Sequence, residues 1–328
     1  MTSDCKISNE WKYRDMETVV MENEDLRIVV LSGKGTDITE ITYKPLNLNL
    51  LFSNPYGPRN PMGSPPISPH REMFRDYTGG GWSDILPNAG LASEYGGASF
   101  GLHDETPLLR WSSEVTESSP SKVSASFEVD LVKYPFTVQK SIGLGQSNEL
   151  EIAESVTNAS NQDLPFSWLI HPTFSRTFAG PGAAIDTHGQ RIHRLAGPRV
   201  EEWNFPSFTE PNGVARDFRI VPPNDSVIND TVVLSGLEEG RYSIYNPELR
   251  LRFTLRWPVE VFRYLWYYRN FNSAGYPYYG RSSFLALEPC TCMRSGLSAQ
   301  VGAGEAVLLP AGKTISARLT AVVDSPGA

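Results

Sequence analysis

The sequence predicts an all-β protein built as a large antiparallel β-sandwich. Three observations predict it: short runs rich in β-branched and aromatic residues, turn-forming clusters between those runs, and no lasting helical period. Residues 26–31 come first, with Leu26, Ile28 and Val30 alternating. Residues 123–131 alternate more fully, and 136–142 and 150–156 follow the same period of two. Residues 232–237, 249–257 and 315–323 complete the alternating set, whereas 284–288 are apolar on both faces until Glu288. Clusters of Gly, Pro, Asn, Ser and Asp at 54–69, 143–148, 158–163, 179–182 and 222–225 read as turns and loops. Apolar residues never hold the spacing i, i+3, i+4, i+7 beyond a turn or two, so a doubly wound parallel sheet is excluded. No 20–50-residue self-similarity suggests a propeller or solenoid.

The 328 residues, 40% of them hydrophobic and 20% charged, suffice for a full core, and we expect a single domain over residues 1–328. The formal net charge of −8 and a pI near 5.3 argue against nucleic acid as partner. No apolar run approaches the ~20 residues that span a bilayer, so no membrane role is expected. Residues 1–14 are polar and lack a secretory pattern, and Cys5, Cys290 and Cys292 form no disulfide framework. A cytoplasmic location is the expectation.

The segment 79–90 stands apart from the strand-and-turn pattern. Glycines let a backbone approach a ligand and aromatic faces suit the C–H surface of a sugar, so this segment reads either as a cleft rim or as a plain Gly-rich connection. Gly97, Ser99 and Gly101 have the spacing of a nucleophile elbow, but no helix follows and the match is rejected. His103, Asp104 and Glu105 cannot all converge on one metal ion if the chain is extended there, and His188 and His193 have loop-like surroundings. No metal is expected.

His171 precedes Pro172, which favours an extended conformation, so His171 is expected to end or close a strand. It is either a satisfied structural histidine or a proton carrier with a pKa near its ordinary ~6.5. Glu288 ends an apolar run and faces the same way as Phe284 and Ala286. It is either a general base whose pKa burial raises, or half of a salt bridge to Arg269 or Arg281. Trp82, Trp266, Tyr267 and Tyr268 serve either the core or sugar stacking.

Taken together, these residues resemble the galactose mutarotase-like superfamily, the aldose 1-epimerases and their hexose-phosphate relatives. The resemblance rests on 22–38 with its glycine turn, on 80–90 with Gly101 to Glu105 and Trp111, on Asn158 with 168–174, on 287–289, and on 309–313. It implies a β-supersandwich that binds sugar across a concave face. It further implies Glu288 as base, His171 as acid and His103 as the group that polarises the sugar. Asp104 stands where the family commonly has Gly after the first histidine, and Gly79 stands where a substrate-binding Arg is expected, which leaves Arg71 or Arg75 as substitutes. Trp82, Trp266 and Arg269 complete the expected binding set.

The function implied is aldose 1-epimerase-like isomerisation of a free or modified hexose with no cofactor. The alternatives are a non-catalytic carbohydrate-binding protein on the same fold and a hexose-phosphate 1-epimerase. The expected partner is a small-molecule carbohydrate, with homodimerisation left open.

Overall fold

The computed structural model describes residues 4–196, 199–210 and 213–326. About 51% of the chain is strand and 6% helix. Among the described residues the longest helices are the short Met73–Tyr77 and Leu297–Gly302, and none is long and apolar enough to cross a membrane.

Two antiparallel sheets dominate. Among the described residues the larger has 13 strands. Its middle runs, in spatial order, through Asp37–Tyr43, Trp82–Ile85, Leu169–Ser175, Phe284–Cys290, Tyr264–Phe271 and Ile228–Ser235. The second has eight strands, in the order Ser112–Ser118, Lys122–Asp130, Phe136–Gly145, Glu149–Asn158, Thr314–Asp324, Leu251–Arg256, Arg241–Asn246 and Ala184–Thr187.

Alternation explains the layering. In Lys122–Asp130 the residues Val123, Ala125, Phe127 and Val129 are buried while their neighbours face outward. They share one apolar cluster with Ile38, Trp82, Ile170, Leu285 and Leu287 of the large sheet. Each such large side chain contributes roughly 1.5–3 kcal/mol on burial. Positions 285 and 287 thus face the sandwich core, which sends 284, 286 and 288 to the opposite face of the large sheet.

Two segments read as breaks contain strand. Phe136–Gly145 runs into the expected turn at 143–148 because Gly143 pairs with both Ser124 and Glu151, which confines the bend to 146–148. The segment 79–90, outside the strand pattern by sequence, contributes Trp82–Ile85 to the middle of the large sheet. That strand is buried along its whole length, so it shows no polar–apolar alternation. Asp84 is accommodated there by buried Lys140, which also lies 3.3 Å from Glu154, and by a hydrogen bond from Trp82 Nε1 at 3.1 Å. Burial raises Glu154 to about 8.

Candidate active site

The site is a row of side chains set by strand register. His171 pairs with Ser83 on one side. The register that matches Leu169 with Cys290 and Thr173 with Ala286 brings His171 level with Glu288 on the other. Glu288 in turn pairs with Trp266, and Trp266 with Val233. Directly opposed residues of antiparallel strands share a face. Ser83, His171, Glu288, Trp266 and Val233 therefore cross five strands on the face away from the sandwich core, and all five line one cleft of about 610 Å³. The next row, one pleat along, brings Gly81, Thr173, Tyr268 and Thr231 to the same cleft.

His171 lies inside its strand, not at the end of it. Its neighbour Pro172 has no N–H to donate, and Thr173 resumes the ladder by donating to Gly81 O at 2.8 Å. His171 Nε2 stands 3.7 Å from Glu288 Oε1, and Nδ1 is 3.2 Å from the Thr173 hydroxyl. The imidazole keeps 14% of its surface open, which leaves it within reach of a ligand.

His103 enters from the loop beyond 79–90. It has φ 48°, so it is not extended, and its ring meets that of His171 at 5.3 Å and that of Phe74 at 5.0 Å, both edge to face. The Gly90 N–H donates to Nδ1 of His103 at 3.1 Å, which leaves Nε2 to carry the proton. Gly90 itself has φ 90°, and a Cβ there would run into the Ser295 hydroxyl. Asp104 and Glu105 are engaged elsewhere: Asp104 with Lys133, Glu105 with the Val132 and Lys133 N–H groups.

The electrostatics follow from burial. Desolvation alone raises Glu288 to about 8, and desolvation lowers His171 to about 4. This corrects the expectation of an ordinary imidazole. His103 is held well below its usual value by burial, then by His171 and Arg75. The pair His171–Glu288 therefore holds one proton between about pH 4 and 8, and burial favours that proton on Glu288.

The ionic partners expected for Glu288 are bound to other groups. Arg269 is buried and clamps Asp230 through two hydrogen bonds of 2.9 and 2.6 Å with its guanidinium over Phe218, and it does not line the cleft. Arg281 lies over the Tyr56 ring and bonds its hydroxyl. Of the other residues expected to bind substrate, Trp266 and Arg75 line the cleft, whereas Trp82 is fully buried in the sandwich core and Arg71 lies outside the lining. Tyr267 is likewise core, while Tyr268 reaches the cleft. His193 belongs to the strand Arg191–Ala196, not to a loop, and its Nε2 meets Ser235; His188 stands by Glu239.

Sequence reasoning missed Thr173 and Phe74, whereas Gly90 closes the segment 79–90 that read as a possible cleft rim. Thr173 had a signal, being two residues beyond His171 and so on its face. Phe74 comes from the short helix Met73–Tyr77, whose approach to the cleft no local pattern reveals.

This architecture is the galactose mutarotase-like fold, a β-supersandwich with its cleft on the free face of the large sheet. Among solved structures, it is similar to a candidate aldose 1-epimerase from Klebsiella pneumoniae (TM-score 0.77, 12% identity, 97% of this chain and 82% of that one). It is also similar to galactose mutarotase-like proteins from Lactobacillus casei (TM-score 0.65, 14% identity, 94% and 100% covered) and Clostridium acetobutylicum (TM-score 0.66, 12% identity, 98% and 99% covered). At these identities the likeness establishes the fold. No protein-family model matches the sequence, and no curated protein matches it.

Proposed function

We propose that this chain, acting as a single domain, is an aldose 1-epimerase-like isomerase that interconverts the anomers of a reducing hexose. The observation that carries the reading is the level placement of His171 and Glu288, 3.7 Å apart on the floor of a cleft, with burial pushing their pKa values in opposite directions. The same floor presents Trp266 and Tyr268, aromatic surfaces suited to the C–H face of a sugar.

Glu288 as carboxylate takes the proton from O1 while His171 as imidazolium gives one to the ring oxygen. The C1–ring-oxygen bond breaks, C1 becomes the aldehyde carbon, and rotation about C1–C2 offers its other face for reclosure. Reclosure reverses both transfers: the ring hydroxyl attacks C1 as His171 recovers its proton, and Glu288 returns its proton to O1. The pair holds one proton throughout. Burial by itself favours that proton on Glu288, which is the arrangement that follows ring opening. Sugar hydroxyls donating to Glu288 stabilise its charged form and so favour the proton's move to His171. His103, with Nε2–H available, would polarise a sugar oxygen beside them.

A hexose phosphate is the second reading, favoured by Arg75 and Arg281 in the cleft lining. Exchange NMR on hexoses, hexose phosphates and uronic acids tests both. Faster anomer exchange on any of them supports the reaction, and exchange at the uncatalysed rate on all of them, with sugar bound, leaves a carbohydrate-binding protein.

A further inference from the structure

The cleft is longer than its proton-transfer centre requires. Along the strand Phe284–Cys290, the side chains that face it run from Glu288 past Ala286 to Phe284. Four residues of strand span ~13 Å at ~3.3 Å per residue, more than one pyranose ring covers. The volume of about 610 Å³ agrees, since clefts of this size hold ligands well beyond a single ring.

The wall of that extension is aromatic and continuous. Phe284 lies 5.6 Å from Tyr268 and 5.4 Å from Tyr278 by ring centroids. The chain then carries Tyr276 and Tyr279, 6.2 Å apart by ring centroids, to the lining of the same cleft, which also includes Tyr56 with the Arg281 guanidinium over its ring. Tyr56, Tyr276 and Tyr279 are 60, 60 and 64% exposed. Large aromatic side chains clustered in the open around a cleft mark a binding surface, because their apolar faces gain from being covered. Arg281 has no carboxylate within ion-pairing range among the described residues, so its remaining N–H groups are available to hydroxyl oxygens.

We propose that the mouth formed by Tyr56, Tyr276, Tyr279 and Arg281 is a second sugar subsite, and that the preferred ligand is a reducing disaccharide. Its reducing ring lies over Glu288 and His171 and its second ring lies against the mouth tyrosines. The proposal rests on the epimerase reading for the placement of the reducing ring.

The test is binding, measured separately from turnover. Glu288→Gln protein and wild type are titrated by calorimetry with glucose, maltose, cellobiose, lactose and glucose 6-phosphate. At least one disaccharide is expected to bind about tenfold more tightly than glucose, and Tyr276→Ala and Tyr279→Ala are each expected to remove most of that gain while changing glucose affinity less than twofold. These two side chains are largely in solvent, so their loss leaves folding intact. Disaccharides that bind no better than glucose, tyrosine variants that weaken both sugars equally, or glucose 6-phosphate as the tightest ligand would each overturn the subsite. Tight disaccharide binding without anomer exchange would leave the subsite standing and remove the epimerase reading. Fast exchange of glucose with no disaccharide gain would do the reverse.

Discussion

Gly90 and His103 hold each other through two hydrogen bonds: the Gly90 N–H donates to His103 Nδ1 at 3.1 Å, and the His103 N–H donates to Gly90 O at 2.9 Å. The first of these sets the tautomer of a ring whose charge burial suppresses. A neutral His103 with its proton on Nε2 is the expected state through the neutral range. ¹⁵N NMR of the imidazoles checks this, and an Nδ1–H tautomer or a ring that titrates near pH 6.5 would contradict it.

Glu288→Gln keeps the shape of the side chain and removes the base. Anomer exchange should fall about 10²–10⁴-fold with sugar affinity retained. Stability should respond in a pH-dependent way. Burial holds the folded pKa at about 8 against an ordinary 4.5, so ionisation of the unfolded chain costs the wild type stability progressively as pH rises between those values. The variant lacks that loss, and its melting temperature relative to wild type should climb from pH 5 to pH 8. A melting temperature lowered at every pH would mean that Glu288 is half of a structural pair.

The pH dependence of kcat/KM in exchange NMR should be bell-shaped. Below about pH 4 the pair takes a second proton and no base remains; above about pH 8 it holds none and no acid remains. A single limb near pH 6.5 would show that the imidazole is not desolvated.

Thr173→Val removes the hydroxyl from Nδ1 of His171 without changing the side chain's size. The imidazolium loses an acceptor for its second N–H, so the acid limb of the profile should move to lower pH. With the net worth of one hydrogen bond, ~0.5–1.5 kcal/mol, kcat should drop by up to about tenfold with KM nearly constant. A purely packing role for Thr173 would leave the limb in place.

Lys140→Met should cost about 3–5 kcal/mol in urea unfolding, because it leaves the Asp84 carboxylate buried beside the Glu154 carboxyl without its cation. Asp84 is the neighbour of Ser83, which pairs with His171, so the cation also braces the strand beside the site. A loss below about 1 kcal/mol would mean that the three groups are effectively solvated.

By itself the sequence determined part of the strand set, including Leu26–Leu31, Phe136–Gly145 and Phe284–Cys290, and the residues that share a face with Glu288. Most of those strands show a period of two within a few residues; in Phe284–Cys290, apolar on both faces, the pleat alone groups Phe284, Ala286 and Glu288, and the fold decides that Leu285 and Leu287 are the pair that packs inward. The sequence also marked His103, His171 and Trp266, which meet at the cleft. The strand Trp82–Ile85 was hidden because full burial erases alternation, and its Asp84 is tolerated only through Lys140 from the other sheet. Tertiary structure alone decided that His171 stands level with Glu288, that Arg75 and Arg281 reach the cleft while Arg269 is held by Asp230, and that the imidazole is desolvated to a pKa of about 4. The reason is physical: register and desolvation depend on which distant segments pair with and cover a residue, and no local pattern encodes them.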